Sequence, residues 1–297
     1  MNKQPHAVVL APSRELLEVL RTFDYRILLA ENGIEGVRLI IRHQPDVVFL
    51  QVDTPHLSGF NIARLLQILA IHTPLVFLTQ DAESGRRAER FPATIGWVSP
   101  QEISLKLPKL LETGIFPPDP APDYLADFRQ HEWGDLLSLS GKKKLLIVED
   151  STTMRKVELK ALDATGEFAL FSVPNGLEGI KKALLVRPDL IISDVEMPEI
   201  NGLTMSQIFY ILGKPFPIVF LTDRDDHHLM DKARRLPGVL GYFLKQDLRD
   251  PGELISKVKA HLGFAEMIRE ASARDYLGGA VETLAQTTGG QGVSGLE

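Results

Sequence analysis

The 297-residue chain contains no cysteine, which removes a disulfide framework, a thiolate zinc site and a cysteine nucleophile together. Such a chain is at ease in a reducing compartment, so a cytoplasmic location is the expectation. Long apolar runs are also missing: Ala7 to Leu10 is the only one near the N-terminus, far below the ~18 residues that a membrane span requires. Neither an anchor nor a signal peptide is expected. Nor is there a strong excess of one charge, with a net charge of −6 and Lys142-Lys143-Lys144 as the only basic run. That leaves no electrostatic footprint for gripping a phosphate backbone, so nucleic acid is not expected as a direct partner. The length suits two ordinary domains.

What is present is a repeat. Asn32-Gly33-Ile34-Glu35-Gly36 recurs as Asn175-Gly176-Leu177-Glu178-Gly179, 143 positions later. The same spacing carries Pro45-Asp46 onto Pro188-Asp189, Pro55 onto Pro198, Gly59 onto Gly202, and Val76-Phe77-Leu78-Thr79 onto Val219-Phe220-Leu221-Thr222. One register held across turns, apolar runs and a prolyl position marks a tandem duplication of a domain-sized unit. The Asn-Gly-x-Glu-Gly motif reads as a turn and helix entry, with glycine supplying a positive φ. It is not a nucleotide loop, because no Gly-x-Gly-x-x-Gly follows a strand.

Each copy alternates short apolar runs with helix-period segments. In the second copy the predicted strands are Lys144 to Val148, Phe168 to Val173, Asp189 to Ser193, Ile218 to Thr222 and Val239 to Leu244. Predicted helices lie near 152–164, 177–186, 203–212, 226–235 and 252–262. Five strands buried on both faces, each followed by a helix, specify an α/β fold: a doubly wound, five-stranded parallel sheet in flavodoxin-like (βα)5 order. The expected division is a first domain over 1–115, a proline-rich linker with a helix between Tyr124 and Leu139 over 116–142, a second domain over 143–264, and a helix with a flexible glycine-rich tail over 265–297.

In an open parallel sheet the ligand site lies off the carboxyl ends of the strands. In the second copy those ends carry Glu149-Asp150, Asp194, Thr222 and Lys245. Three carboxylates at one edge repel unless a cation sits among them, and hard oxygen ligands of this kind suit Mg²⁺. Lys245 adds an opposing charge and Thr222 a hydroxyl. A carboxylate set among a metal, an ammonium and a hydroxyl is arranged to receive a phosphoryl group as an acyl phosphate.

These motifs resemble the receiver domains of two-component response regulators. The matching blocks are Leu-Leu-Ile-Val-Glu149-Asp150-Ser, Ile-Ile-Ser-Asp194-Val-Glu-Met-Pro198-Glu-Ile-Asn-Gly202, Val-Phe-Leu-Thr222 and Gly241-Tyr242-Phe-Leu-Lys245, over about 120 residues of the second half. The resemblance implies that Asp194 accepts phosphate from a sensor histidine kinase or a phosphotransfer protein. It implies that Glu149, Asp150, Asp194 and the backbone carbonyl of Glu196 hold Mg²⁺, that Thr222 and Lys245 bind phosphoryl oxygens, and that Tyr242 is a switch aromatic. Two positions depart from the family's usual pattern. Asp223 follows the threonine where a small residue is common, and Gln246 follows the lysine where proline is common.

The first copy keeps the scaffold and loses the chemistry. By the repeat register Gln51 stands at the acceptor position, Ala11 and Pro12 replace the acidic pair, and Ser99 or Pro100 replaces the lysine. Only Thr79 survives, so this half resembles a pseudo-receiver retained for binding. Asp53, two residues beyond Gln51, aligns with Glu196 and is not a shifted acceptor. Trp97, the counterpart of Tyr242, reads as a core aromatic, and His227-His228 as a solvated helix start, since adjacent helical residues do not share a face.

The sequence reading is therefore a phosphorelay response regulator without turnover activity. Its second receiver switches a protein-interaction surface over roughly Asp226 to Leu262, acting on a downstream protein target. Its first serves for docking or homodimerisation. Two alternatives stand beside it: an aspartate-nucleophile, Mg²⁺-dependent phosphatase, whose motif requires a hydroxyl residue where Pro198 stands, and a scaffold that works without phosphorylation.

Overall fold

A computed structural model of the chain describes residues 4–10, 12–112, 141–223, 225–247 and 250–268. The first unit runs β1 His6–Leu10, α1 Arg14–Thr22, β2 Arg26–Ala30, α2 Gly33–His43, β3 Val47–Gln51, α3 Gly59–Ile68, β4 Leu75–Leu78, α4 Ala82–Ala88, β5 Thr94–Val98 and α5 Ile103–Glu112. The second runs β6 Lys143–Val148, α6 Thr152–Asp163, β7 Phe168–Val173, α7 Gly176–Val186, β8 Leu190–Ser193, α8 Gly202–Ile211, β9 Ile218–Thr222, α9 His227–Arg234, β10 Val239–Leu244 and a last helix, α10, over 251–268. Both sheets are parallel, in the orders β2-β1-β3-β4-β5 and β7-β6-β8-β9-β10, so both units have the flavodoxin-like order. Among the described residues no helix is long and apolar enough to cross a membrane. The linker helix and the C-terminal tail expected from the sequence lie outside the described residues.

Helix starts are set locally. The side chains of Ser13, Asn32, Ser58, Ser151, Asn175 and Asn201 each accept a hydrogen bond from the amide three residues on, which satisfies a donor the helix leaves open. The repeat extends to backbone strain: Gln44 and Arg187 end α2 and α7 in the left-handed region, and His56 and Glu199 share a positive φ in the loops before α3 and α8.

Two expectations need correction. The glycines of the Asn-Gly-x-Glu-Gly motifs do not have positive φ. They are required for space: a Cβ on Gly33 would lie 2.2 Å from the carbonyl oxygen of Leu57, and one on Gly176 2.2 Å from that of Ile200. The last helix, expected to stop near 262, instead continues unbroken to 268. Leu254, Val258, Leu262 and Ala265 keep one buried stripe through it, which offsets the roughly 1 kcal/mol that Gly263 costs in a helix. The two glycines therefore respond oppositely to alanine. Gly176→Ala is expected to lose about 3 kcal/mol by forcing the Ile200 backbone away, whereas Gly263→Ala, with nothing within 4 Å of the new methyl, gains up to about 1 kcal/mol. Urea unfolding of the two variants checks both signs.

Strand alternation divides the core. Ala7, Val9, Val47, Phe49 and Val76 face α1 and α5 in one cluster, and Leu145, Ile147, Leu190, Ile192 and Leu221 face α6 and α10 in another. The opposite faces of the two sheets belong to a single cluster that includes Val8, Leu50, Leu66 and Phe77 of the first unit and Val148, Leu203, Phe209 and Phe220 of the second. The units meet through it, α2 against α8 and α3 against α7. Since α2 repeats as α7 and α3 as α8, the contact is that of an isologous dimer made within one chain.

Candidate functional site

The carboxyl edge of the second sheet collects the predicted residues. Glu149 follows β6, and its backbone amide bonds the carbonyl of Val173 at 3.1 Å. Asp194 follows β8, with its amide on the carbonyl of Val148 at 2.9 Å. Thr222 ends β9 opposite Leu244, and Lys245 comes next, opening a short 3-10 helix over Lys245–Asp247. Glu149, Asp194, Thr222, Lys245 and Tyr242 are buried, while Asp150 is exposed.

Carboxylate oxygens of Glu149, Asp150 and Asp194 lie within 4.8 Å of one another. The Lys245 ammonium bridges two of them, at 2.7 Å from Glu149 Oε2 and 2.7 Å from Asp194 Oδ2. The other Asp194 oxygen accepts the amides of Val195 at 2.5 Å and Glu196 at 3.3 Å. Glu149 Oε1 accepts the amide of Ser151 at 3.1 Å. Burial raises the Glu149 carboxyl pKa, partly opposed by its bond to Lys245. For Lys245, burial works against the ammonium, but bonds to Asp194 and Glu149 outweigh it and hold the group above the usual lysine range. Tyr242 packs edge-on to Phe220 with ring centroids 6.4 Å apart. Its hydroxyl pKa is raised by burial and then by nearby carboxylates, Asp226 and Asp194 first among them.

The two unusual positions fall differently. Asp223 Oδ2 lies 3.7 Å from the Lys245 ammonium with its side chain 79% exposed, so water screens it from the buried pair. Gln246 sits inside the short helix that follows β10.

Two residues escaped the sequence reading. Arg155, on the first turns of α6, donates to the backbone carbonyl of Glu149 at 2.6 Å. Glu158, one turn further, is 4% exposed. Its carboxyl pKa is pushed up to about 8 by burial, then by the negative charge of Glu149, with Lys245 and Arg155 opposing. A signal existed: Glu158 falls on the stripe of Met154, Ala161 and Leu162, so an acid stands where the helix period demands an apolar residue.

At the equivalent edge of the first sheet no acidic cluster forms among the described residues. Gln51 ends β3, Asp53 is exposed, and Thr79 accepts the amide of Asp81 at 3.2 Å. Ala11 lies outside the described residues. Pairing of β4 with β5 sets Val98 opposite Leu78, as Phe243 stands opposite Leu221. The lysine position therefore falls on Pro100, and Ser99, the alternative, becomes the cap of a short 3-10 helix. The cleft itself persists, about 570 Å³ lined by Pro12, Gln51, Asp53, Thr79 and Pro100 among others. Trp97 packs on Gly85 and donates to Glu89 at 3.1 Å, a structural role.

Residues 145–259 match the family described as the response regulator receiver domain. The chain is 34% identical over 128 residues to a protein-glutamate methylesterase/protein-glutamine glutaminase of Carboxydothermus hydrogenoformans, covering 40% of this chain and 36% of that one. It is 30% identical over 131 residues to the alkaline phosphatase synthesis transcriptional regulatory protein PhoP of Bacillus subtilis, covering 44% and 52%. Among solved structures, the response regulator domain of Thermotoga maritima CheB aligns with a TM-score of 0.36 and 20% identity, over 41% of this chain and 97% of that one. The matches span about a third to a half of these curated relatives. The second half of the chain, residues 145–259, carries a response regulator receiver domain, a module of two-component signalling.

Proposed function

We propose that this chain is a response regulator in which Asp194 is the phosphoacceptor and the first unit is a receiver fold kept for docking. The observation that carries the reading is the Lys245 ammonium held 2.7 Å from both Asp194 and Glu149, with Asp150 beside them. One ammonium among three carboxylates leaves the group short of positive charge, and an all-oxygen donor set of this kind fits Mg²⁺. Glu149, Asp150, Asp194 and the Glu196 carbonyl would hold the ion, which when bound neutralises charge at the acceptor.

The chain's own residues do the rest. One Asp194 oxygen is fixed by the amides of Val195 and Glu196, leaving the oxygen paired with Lys245 to attack. A bond forms between that oxygen and the phosphorus of a phosphohistidine donor as the phosphorus–nitrogen bond breaks, and the donor imidazole leaves with a proton. Lys245 stays with the phosphoryl oxygens, joined by the Thr222 hydroxyl. The added charge of about −1.5 to −2 then biases a two-state surface around Tyr242, α9, β10 and α10 toward the form that binds a downstream protein.

Phosphoryl transfer to Asp194 is a modification of the chain and not turnover of a substrate. The esterase and glutaminase activities in the relatives' names belong to proteins of which this chain matches about a third.

Incubation with Mg²⁺ and acetyl phosphate, followed by intact mass, tests the reading. A single Mg²⁺-dependent phosphoryl adduct is expected in the wild type and none in Asp194→Asn. An adduct that survives the substitution, or repeated turnover of a chromogenic phosphomonoester, would sink it.

A further inference from the structure

The contact between the two units is symmetric in its helices and asymmetric in its loops. Glu199, with φ of 67°, lies in the loop that joins Asp194 to α8. Its carbonyl accepts from Asn61 Nδ2 at 2.8 Å and its carboxylate from Arg64 Nη1 at 2.7 Å, both donors on α3 of the first unit. The two side chains of the ion pair are each 36% exposed. By the repeat register the twin of this contact would join His56, with φ of 66°, to Thr204 and Gln207 of α8. Those three residues instead line an open cleft of about 390 Å³ together with Arg38 and Lys232. Of two loops related by duplication, the first unit grips the one that carries the acceptor chemistry.

We infer that α3 of the first unit is an intramolecular docking surface for the Asp194–α8 loop, so that docking and modification of Asp194 are thermodynamically coupled. The inference rests on the phosphoacceptor reading for its coupled ligand and on the contact alone for its docking surface. Between Asp194 and Glu199 the chain is short and held at several points. Val195 and Glu196 amides bind Asp194 Oδ1, the Gly202 amide binds the Val195 carbonyl, and the Gly176 amide binds the Ile200 carbonyl. A shift at either end of such a segment is felt at the other. The grip by Asn61 and Arg64 occurs while Lys245 is engaged by Asp194 at 2.7 Å, the arrangement of the unmodified acceptor. The coupling inferred is negative: docking favours the unmodified state, and by linkage modification weakens docking by the same factor.

The absence of cysteine from the chain allows spin labels to be placed at will in the 297-residue chain. With labels at Glu83→Cys and Lys156→Cys, on α4 and α6, the wild-type background is expected to give one narrow distance distribution. That distribution broadens in Arg64→Glu, where two carboxylates face each other, and narrows again in the charge-swapped Arg64→Glu/Glu199→Arg. With Mg²⁺ and beryllofluoride as the phosphoryl stand-in, the wild-type distribution broadens. Bound beryllofluoride, read by fluorine NMR, half-saturates in Arg64→Glu at a concentration roughly two- to fivefold lower than in wild type, as one half-exposed ion pair allows. Half-saturation that is unchanged or higher in Arg64→Glu overturns the coupling, and distances unaffected by that substitution overturn the docking surface. A wild type that binds no beryllofluoride while the charge swap still restores the distance defeats the phosphoacceptor reading and leaves the docking surface supported.

Discussion

Lys245→Met is expected to lower folding stability by about 3–5 kcal/mol in EDTA, with much of the loss recovered on adding Mg²⁺. The ammonium it removes is buried and lies 2.7 Å from each of two buried carboxylates. Replacing an entire buried ion pair by apolar groups can be nearly neutral, but removing one member strands the charge of the other. Here one deletion strands both Glu149 and Asp194. Because the folded lysine pKa is raised, the stability it contributes is fully present below its unfolded value of 10.5 and is lost only as pH rises beyond that. Across neutral pH the wild type therefore holds the whole contribution. In the variant the stranded Glu149 carboxyl, its pKa already raised by burial, can instead take up a proton, so the deficit shrinks as pH falls. Urea titrations at pH 5 and 7.5, with EDTA or Mg²⁺, measure all three effects. Equal stability of variant and wild type in EDTA would mean that the bridge does not hold the site together.

The opposite sign is expected of Glu158→Gln. The Glu158 carboxyl has its pKa pushed from 4.5 up to about 8, so the folded chain keeps a proton that the unfolded chain releases between those values. Wild-type stability must then fall as pH rises through that window. Glutamine presents nearly the same shape without the charge, and removes the penalty. The variant is expected to match the wild type below about pH 4.5 and to exceed it by up to about 3 kcal/mol at pH 7. The gain should be largest without Mg²⁺, since the negative charge of Glu149 is the second cause of the shift. Two chemical denaturation curves, at pH 5 and pH 8 in EDTA, decide it. A variant less stable than the wild type at both would show that Glu158 serves as a charged partner and not as a buried acid kept neutral.

Much of this protein was legible before any coordinates. The duplication, the strand runs and the acidic residues at their ends are local facts, written in period, turn chemistry and register. They place Glu149, Asp194, Thr222 and Lys245 at one sheet edge because a right-handed parallel order brings alternate strand ends together. The lack of a carboxylate at Gln51 was equally legible, since an amide cannot become an acyl phosphate wherever it sits. The identity of the lysine counterpart was not. The choice between Ser99 and Pro100 depended on strand pairing of β4 with β5, a non-local match that a gap in the repeat conceals.

Other features lay beyond any local pattern. The glycines of the Asn-Gly-x-Glu-Gly motif were legible as special, but the reason was a carbonyl 24 residues away in each copy: Leu57 against Gly33, and Ile200 against Gly176. Glu158 broke an apolar stripe, yet only the fold set it under Glu149. The grip of Asn61 and Arg64 on Glu199 joins residues 138 and 135 positions apart, and nothing in the spacing of any of them announces it. The sequence by itself determined the two units, their strand order and the chemistry available at the second edge, because helix period, strand alternation and side-chain type act over a few residues. Only the tertiary structure decided which acid is buried, which glycine lacks room and which loop the first unit holds, because burial and contact depend on what the chain brings back from far along its length.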